Sequence, residues 1–337
     1  MKVQEVSKEL GVRYVLEGSV RKAGDHILIT AQLIDGTTGE HVWAERYDRP
    51  LSDLFAMQEE VRRKILVHLG LKLTPEEEER LQRTYTPSLE AYSYVTRGIE
   101  SFLRITPAEN ARARQLWEQA IALDPTYAVA YAGMGLTYWV EWVSQWNQDP
   151  QALEQAFTLA QRALALDDSS PPAHELLGAV YLWRDKQHEQ AIAEERRAIA
   201  YSPNWFSAYN MLGFALNFAG RPEETIANAE QAFRLSPRSF HYLFPLGNAY
   251  RLTKRYEDAI ATYQKILAVM PHNGGAHFGL AAVYSELGRE EEARAEAAEV
   301  LRINPQFSLE ALQQRLPYKD PAELERHLAA LRKAGLK

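Results

Sequence analysis

The sequence predicts a mainly α-helical solenoid of about six helical hairpins with C-terminal capping helices, preceded by a small α/β segment with a three-stranded antiparallel meander. Two observations predict this fold class. A repeat of about 34 residues fills roughly two thirds of the chain, and polar and apolar residues alternate with a period of two before it. The expected segments are an α/β part at 1–72, a connecting helix at 73–87, repeats at 88–305 and capping helices at 306–337.

Two kinds of residue recur in phase along the repeats. A helix-ending residue stands at the same place in each unit, namely Pro125, Asp168, Pro203, Pro237, Pro271 and Pro305. A small residue stands upstream of each, namely Gly98, Gly135, Gly178, Gly213, Gly247 and Ala281. Proline cannot donate the next helical hydrogen bond, so it ends the second helix of a unit. The small residue lets two helices approach closely, so each unit is predicted to be an antiparallel helical pair that buries its apolar face against its neighbours.

The repeated text resembles the tetratricopeptide repeat. The stretch YNMLGFAL at 209–216 is similar to the first helix of that motif, and DAIATYQKIL at 258–267 is similar to its second helix. The resemblance implies stacked hairpins whose first helices form a concave wall. It also implies a non-catalytic scaffold that binds a peptide or helix of a partner protein in that groove.

By this resemblance, a defined set of positions around each small residue faces the concave groove. They combine amide groups, one guanidinium and several aromatic rings, which suits an extended peptide of loosely specified sequence. The candidate groove residues are Trp183, Asn210, Phe214, Asn217, Phe218, Phe244, Asn248, Arg251 and Phe278. The alternative is that some of these residues pack between neighbouring units.

A tryptophan-rich insertion at 139–150 lengthens the second unit. Trp139, Trp142 and Trp146 are spaced by 3 and 4 residues, which places them on one stripe of a helix. Two interpretations remain open. The stretch is either a helix extension packed on the first unit or an exposed aromatic contact patch.

The period of two before the repeats predicts strands at 12–21, 27–34 and 40–48, joined by tight turns. A short amphipathic helix at 3–10 and a longer helix at 53–69 are expected on either side of the strands. Further along, Thr74 begins a capping box with Pro at the first helical position. Trp43 is expected in the core of this segment, and the basic run 62–64 on its surface or against a partner.

This N-terminal block resembles the second half of the TolB-like α/β domain of bacterial regulators, through the stretches 3–22, 29–49 and 54–61. In that family the domain often lies between a cyclase or winged-helix DNA-binding domain and a tetratricopeptide array. The opening strand and helix of the family would precede residue 1, so the meander is expected to leave an unpaired edge. We expect a partner or a second copy to pair with it, which makes a homodimer through the incomplete sheet one option.

Composition excludes several kinds of function. The chain has no cysteine, so disulfides and thiolate chemistry are absent. Its net charge of -7 makes direct nucleic-acid binding a poor expectation. The N-terminus has no apolar leader and no stretch is long enough to cross a bilayer, so a cytoplasmic protein is expected. No phosphate-binding loop, nucleophile motif or metal-ligand spacing occurs, so neither a cofactor nor a metal is expected. His272 and His277 lie five residues apart across a turn, which does not place two metal ligands on one helical face.

Three functions agree with the sequence. The first is a non-catalytic interaction scaffold that serves as the regulatory or sensory module of a bacterial signalling system, in the manner of cyclase-linked proteins. The second is the effector half of a transcription regulator whose DNA-binding domain is absent from this chain. The third is a domain that senses a small ligand.

Overall fold

The computed structural model describes residues 2–82, 86–146, 149–235 and 243–337, and it divides into two compact units, Met1–Leu89 and Glu90–Lys337. About 68% of the chain is helical, and the predicted fold class, a helical solenoid with a small three-stranded antiparallel sheet before it, is confirmed. Pro237, one of the repeat-marking prolines, lies outside the described residues.

The first unit contains the predicted meander between helices. Its elements are α1 (Val3–Leu10), β1 (Tyr14–Ala23), β2 (His26–Asp35), β3 (His41–Pro50), a 3-10 turn (Leu51–Asp53), α2 (Leu54–His68) and α3 (Pro75–Gln82). The strands lie in the order β1-β2-β3, and both pairs are antiparallel. Gly24, at a left-handed φ of 66°, forms the tight turn between the first two strands.

Helix α2 packs on one face of the sheet, mainly on β2 and β3. Leu33 lies opposite Trp43 across these strands, and both are buried together with Met57 of α2. The expected core position of Trp43 is therefore confirmed. On β1 the same face is open, because Leu16 and Val20 are 52% and 70% exposed.

Ion pairs bind the helices of this unit to one another and to the sheet. Within the basic run, Arg63 pairs with Glu59 at 3.0 Å and with Glu78 of α3 at 2.8 Å. The charge of Arg63 is therefore matched inside its own unit. Thr74 and Glu77 exchange bonds at the start of α3, as the capping box predicts.

In its described residues, the second unit has six helical hairpins followed by two further helices. The hairpins are α4 (Leu89–Phe102) with α5 (Pro107–Leu123), α6 (Ala128–Val143) with α7 (Ala152–Leu166), α8 (Pro171–Trp183) with α9 (His188–Tyr201), α10 (Phe206–Phe218) with α11 (Pro222–Leu235), α12 (Leu243–Leu252) with α13 (Tyr256–Val269), and α14 (Gly274–Glu286) with α15 (Glu290–Ile303). The last two helices are α16 (Leu309–Arg315) and α17 (Pro321–Lys333). Among the helices of the described ranges, none combines the length and apolar character that a bilayer crossing requires.

Aromatic side chains of second helices lie against glycines of first helices. Tyr263 of α13 is 1% exposed and lies between Gly247 of its own hairpin and Gly279 of the next hairpin. A β-carbon at Gly279 would come within 2.3 Å of the tyrosine ring. Trp117 lies in the same way between two glycines in the first hairpins, where a β-carbon would come within 2.6 Å of its ring. At these two places, a recurring glycine of one hairpin (Gly98 or Gly247) and a glycine of the next hairpin make room for the ring that joins them.

The first residues of four hairpins are held by a repeated side-chain bond that the sequence analysis did not identify. Four residues before the small position, His174 and His277 each contact a carbonyl six residues upstream, through Nε2 at 2.8 and 3.0 Å. Tyr131 and Tyr209 make the equivalent bond with their hydroxyls. His277 thus serves the packing of its hairpin.

We predict that Gly279→Ala lowers the free energy of unfolding by about 1 to 3 kcal/mol, because the added methyl group forces Tyr263 and the neighbouring helix apart. Urea unfolding followed by circular dichroism measures the change. Gly274→Ala is the matched control, since its β-carbon would meet nothing closer than 3.6 Å in the same helix. Equal unfolding midpoints for the two variants would contradict the packing argument.

Candidate functional site

First helices of neighbouring hairpins carry a continuous aromatic surface, which we call the inner wall. Trp183 of α8 lies with its ring 5.6 Å from Phe214 and 5.9 Å from Phe218, both on α10. Phe214 in turn lies 5.5 Å from Phe244 of α12. These four predicted groove residues are therefore in contact, and edge-to-face and tilted ring contacts hold the wall in one shape.

The polar groove candidates lie beside these rings, and most of them bond within the array. Arg251 is 1% exposed, donates to Glu286 at 2.6 Å and also donates to the Asn248 side chain at 3.2 Å. Burial opposes the guanidinium charge, yet Tyr318 and Glu286 outweigh it and raise the pKa of Arg251 above its ordinary value. Arg251 is therefore a fixed positive charge at the edge of the inner wall.

The two remaining amide candidates differ in their surroundings. Asn217 is buried and donates to the carbonyl oxygen of Pro245 at 2.8 Å, so it ties the fourth hairpin to the fifth. This contact matches the alternative interpretation, packing between neighbouring units. Asn210 is half-buried, and its side-chain oxygen has no bond partner within the described residues.

A stretch of the same chain lies on the inner wall. Residues 316–319, between α16 and α17, adopt neither helix nor strand, and we call them the wall segment. The ring of Tyr318 meets Phe218 edge-on at 4.8 Å, and its hydroxyl accepts a bond from Arg251 at 3.1 Å. The backbone amide of Lys319 donates to the carbonyl of Phe218 at 2.9 Å. The groove expected to be open to a partner is therefore covered here by the chain itself.

The wall segment has further contacts at its N-terminal end. The carbonyl of Pro317 accepts a bond from Nε2 of His188 at 2.6 Å. Leu316 packs with Trp139 and Trp183 in the same apolar cluster. These contacts come from α6, α8 and α9, so one short stretch is held by several hairpins.

The helices on either side of the wall segment also touch distant parts of the array. Gln145 and Ser308 exchange bonds of 3.3 and 3.1 Å, although 163 residues separate them. Arg315 lies 4.8 Å above the ring of Trp142 and donates to its carbonyl oxygen. Helix α17 packs on α14, as a capping helix does. The contacts of α16 and its N-cap with the second hairpin were not expected from the sequence.

The tryptophan stripe follows neither of the two interpretations made from the sequence. Trp139 packs edge-on against Trp183 at 5.2 Å, and Trp142 packs in the same cluster and beneath Arg315. The stripe therefore extends the inner wall toward the third hairpin and the C-terminal helices. The prediction of one helical stripe is confirmed for Trp139 and Trp142, whose partners are far away in the chain, but it is wrong for Trp146, which lies beyond the end of α6 at Val143.

Phe278, the last groove candidate, is covered by α17 and by Phe307. Its ring lies 5.3 Å from His327 and 6.1 Å from Phe307. His327 is 4% exposed, and burial together with Arg251 and Arg326 holds the pKa of His327 well below its ordinary value. The imidazole is therefore neutral in the folded protein near pH 7.

A second buried group of carboxyls lies between the third and fourth hairpins, and the sequence analysis did not single it out. Glu175 accepts bonds from Trp205 and Ser207, each at 2.6 Å, and burial raises its pKa. Glu195 is 1% exposed, and burial followed by repulsion from Glu175 and Glu194 raises its pKa far above the usual range. Elsewhere too, the described ranges hold no group of three or more His, Asp or Glu side chains placed to bind a metal ion.

Comparison with known proteins supports tetratricopeptide repeats in the second unit. Models of the tetratricopeptide repeat match residues 211–269 and 250–316. Among solved structures, the APC/C hetero-tetramer Cut9-Hcn1 is similar over 73% of this chain and 43% of that chain, with 18% identity and a TM-score of 0.51. A thermophilic tetratricopeptide repeat protein of Thermus thermophilus is similar over 59% of this chain and 99% of that one, with 22% identity and a TM-score of 0.45. Proteins built from this repeat mediate protein–protein interactions and scaffolding, and their fold is generally non-catalytic.

A curated relative shows higher sequence identity. The chain is 43% identical over 188 residues to a protein named Putative adenylate cyclase 3 from Rhizobium meliloti (strain 1021). The match covers 56% of this chain, and the chain spans about a third, 32%, of the length of that relative. The repeat-model matches lie in the second unit and give no support to the TolB-like resemblance of residues 1–72.

We predict that His327 lowers the stability of the folded protein as the pH falls below 6.5, the ordinary pKa of histidine, because unfolding lets His327 take up a proton that the folded protein excludes. The contribution is complete above that pH and decreases by at most about 1.4 kcal/mol per pH unit below it. Urea unfolding at pH 8, 6.5 and 5.5 measures the slope. His327→Leu should flatten it and the exposed control His41→Gln should not; equal slopes for wild type and His327→Leu would contradict the assignment.

Proposed function

We propose that this chain is a non-catalytic interaction scaffold that binds a protein partner along the inner wall. One observation carries the proposal. The wall already holds a non-helical polypeptide stretch, through the backbone amide of Lys319, the carbonyl of Pro317 and the ring of Tyr318. A surface that binds one non-helical segment by main-chain bonds and aromatic contacts has the chemistry to bind another.

Two buried ionisable groups with strongly shifted pKa values favour a scaffold over an enzyme. Glu195 is 1% exposed and His327 is 4% exposed. A catalytic acid or base must come within hydrogen-bonding distance of its substrate. Both groups are enclosed by packed helices, and their shifted pKa values are explained by burial and by neighbouring charges.

We further propose that the scaffold is the regulatory module of a bacterial signalling system. A protein named as an adenylate cyclase contains a region, 32% of its length, that is similar to this chain, and this similarity supports the role. The resemblance of residues 1–72 to part of a TolB-like domain points the same way, because that domain accompanies cyclase domains. In this proposal the chain binds proteins, and cyclic-nucleotide chemistry belongs to another domain or chain.

We predict that Phe214→Ala weakens binding of a genuine partner at least tenfold, because it removes the ring that contacts Trp183, Phe218 and Phe244. Partners are enriched on the full chain, purified, and measured by calorimetry against wild type and variant. Arg294→Ala on α15 is the control, since its side chain is 62% exposed and on a second helix. Partners that bind wild type and Phe214→Ala with equal affinity would contradict the proposed site.

The open edge of the sheet supports a separate proposal, a homodimer formed by two copies of β1. Within the described residues, β1 pairs with β2 alone, and Leu16 and Val20 remain exposed. Antiparallel pairing about Gly18 would set Leu16 opposite Val20 of the second copy and would bury both. The same pairing places Glu17 diagonal to Arg21 of the second copy, so the charges on the other face are complementary.

We predict that the full chain is a dimer at micromolar concentration and that Val20→Lys makes it a monomer, because a lysine there leaves a charge in the paired apolar face. Light scattering after size-exclusion chromatography measures the mass. Val67→Lys on α2 is the control, because Val67 is 73% exposed and lies away from β1. A monomeric wild type with hydrogen-exchange protection on both edges of β1 would contradict the dimer.

A further inference from the structure

The wall segment is bound in the way that a peptide ligand is bound. Leu316 packs with the rings of the inner wall, and the next three residues are held by one hydrogen bond each, two of them to main-chain atoms. Pro317 is buried and Lys319 is exposed. The array therefore contacts the side chains of the first three residues and leaves the fourth side chain in solvent.

The receiving surface is built by other parts of the array. Arg251 is held by Glu286 and Asn248, and both partners lie on first helices of the array. Phe218 is 6% exposed and is fixed by Trp183 on its other side. The positive charge and the ring that meet Tyr318 are thus placed by contacts that do not involve the wall segment, so the site is preorganised for an aromatic hydroxyl.

The occupant itself is held by few contacts. Its polar contacts with the array are three hydrogen bonds, and a single intramolecular hydrogen bond adds only modestly to the stability of a folded protein. Because it is tethered by α16 and α17, it competes at an effective concentration that a free peptide must overcome. The apparent affinity of a free peptide is then its intrinsic affinity multiplied by the fraction of molecules in which the segment has left the site.

We propose that the inner wall recognises extended protein segments of the form apolar–Pro–Tyr, and that Leu316, Pro317 and Tyr318 occupy the site until a partner segment replaces them. This inference rests on the proposed scaffold function. It adds the chemistry of the partner segment and the way in which the wall segment regulates its binding. The tryptophan cluster packs against the apolar side chain, and His188 donates a bond to the proline carbonyl. Phe218 and Arg251 contact the tyrosine ring and hydroxyl. The partner and the wall segment exclude one another because they need the same groups.

The test uses full-length protein and a fluorescent peptide with the sequence of residues 312–320, measured by anisotropy. Tyr318→Ala removes the ring of the occupant, and it should bind the peptide at least tenfold more tightly than wild type does. Lys319→Pro removes the amide that bonds to Phe218 and keeps the ring of Tyr318, and it should give a smaller gain in the same direction. The same peptide with Tyr replaced by Ala should bind at least tenfold more weakly to either variant.

A locked form provides the matched control. Because the chain has no cysteine, Gln187→Cys with Lys319→Cys gives a unique thiol pair, next to the bond between His188 and Pro317. A cleavable bis-maleimide crosslink should hold the segment in place and weaken peptide binding at least tenfold relative to the same sample after cleavage. Circular dichroism of each form checks that the helices are intact.

Two results would overturn the inference: equal peptide affinity of wild type and both opened variants, or equal binding of the two peptides. These results are distinguishable from failure of the scaffold proposal. If binding of a partner depends on Phe214 but the peptide binds to no variant, the scaffold proposal is supported and the apolar–Pro–Tyr recognition is contradicted. Peptide binding by the opened variants and its loss on crosslinking would support the inference.

Discussion

Close approach of helices over small residues is the constraint on which the whole array depends. Tyr263 and Trp117 each fill the space between two glycines from successive first helices, so one ring determines how two hairpins stack. A solenoid has no central core, and its stability is approximately the sum of hairpins and their interfaces. The rings of the inner wall can only align because these interfaces set the spacing of the first helices. Packing at the glycines therefore determines the geometry of the surface that meets the wall segment.

Much of this fold could be predicted from the sequence, because local signals fix it. Periodic prolines and small residues specify the hairpins, and a period of two with Asp/Gly turns specifies the meander. Gly220 and Gly288 end first helices at left-handed φ values of 79° and 76°, as their positions indicate. Such signals depend on residues a few positions apart, so a single sequence carries them in full.

The candidate site could be predicted only in part. Trp183, Phe214, Phe218 and Phe244 share one surface because the repeat period places them on equivalent faces. What covers them could not be predicted, since Tyr318 meets Phe218 through contacts between segments 100 residues apart and no local pattern marks them. Asn217 shows a second limit. An amide on a first helix can serve a ligand or a neighbouring hairpin, and only the position of the Pro245 carbonyl decides between them.

The contacts between Gln145 and Ser308 and between Ser144 and Asn304 have a consequence for how the array folds. A linear row of repeats can lose hairpins from one end, one after another, because each touches its neighbours alone. Here the last helices touch the second hairpin, across 160 residues or more, so the intervening hairpins are joined into a loop of contacts. Hairpins two to six are then expected to unfold in a single cooperative step. Contacts between residues so far apart in the sequence are also expected to form slowly during folding. Removing one internal hairpin would break this loop, although every remaining repeat kept its own sequence.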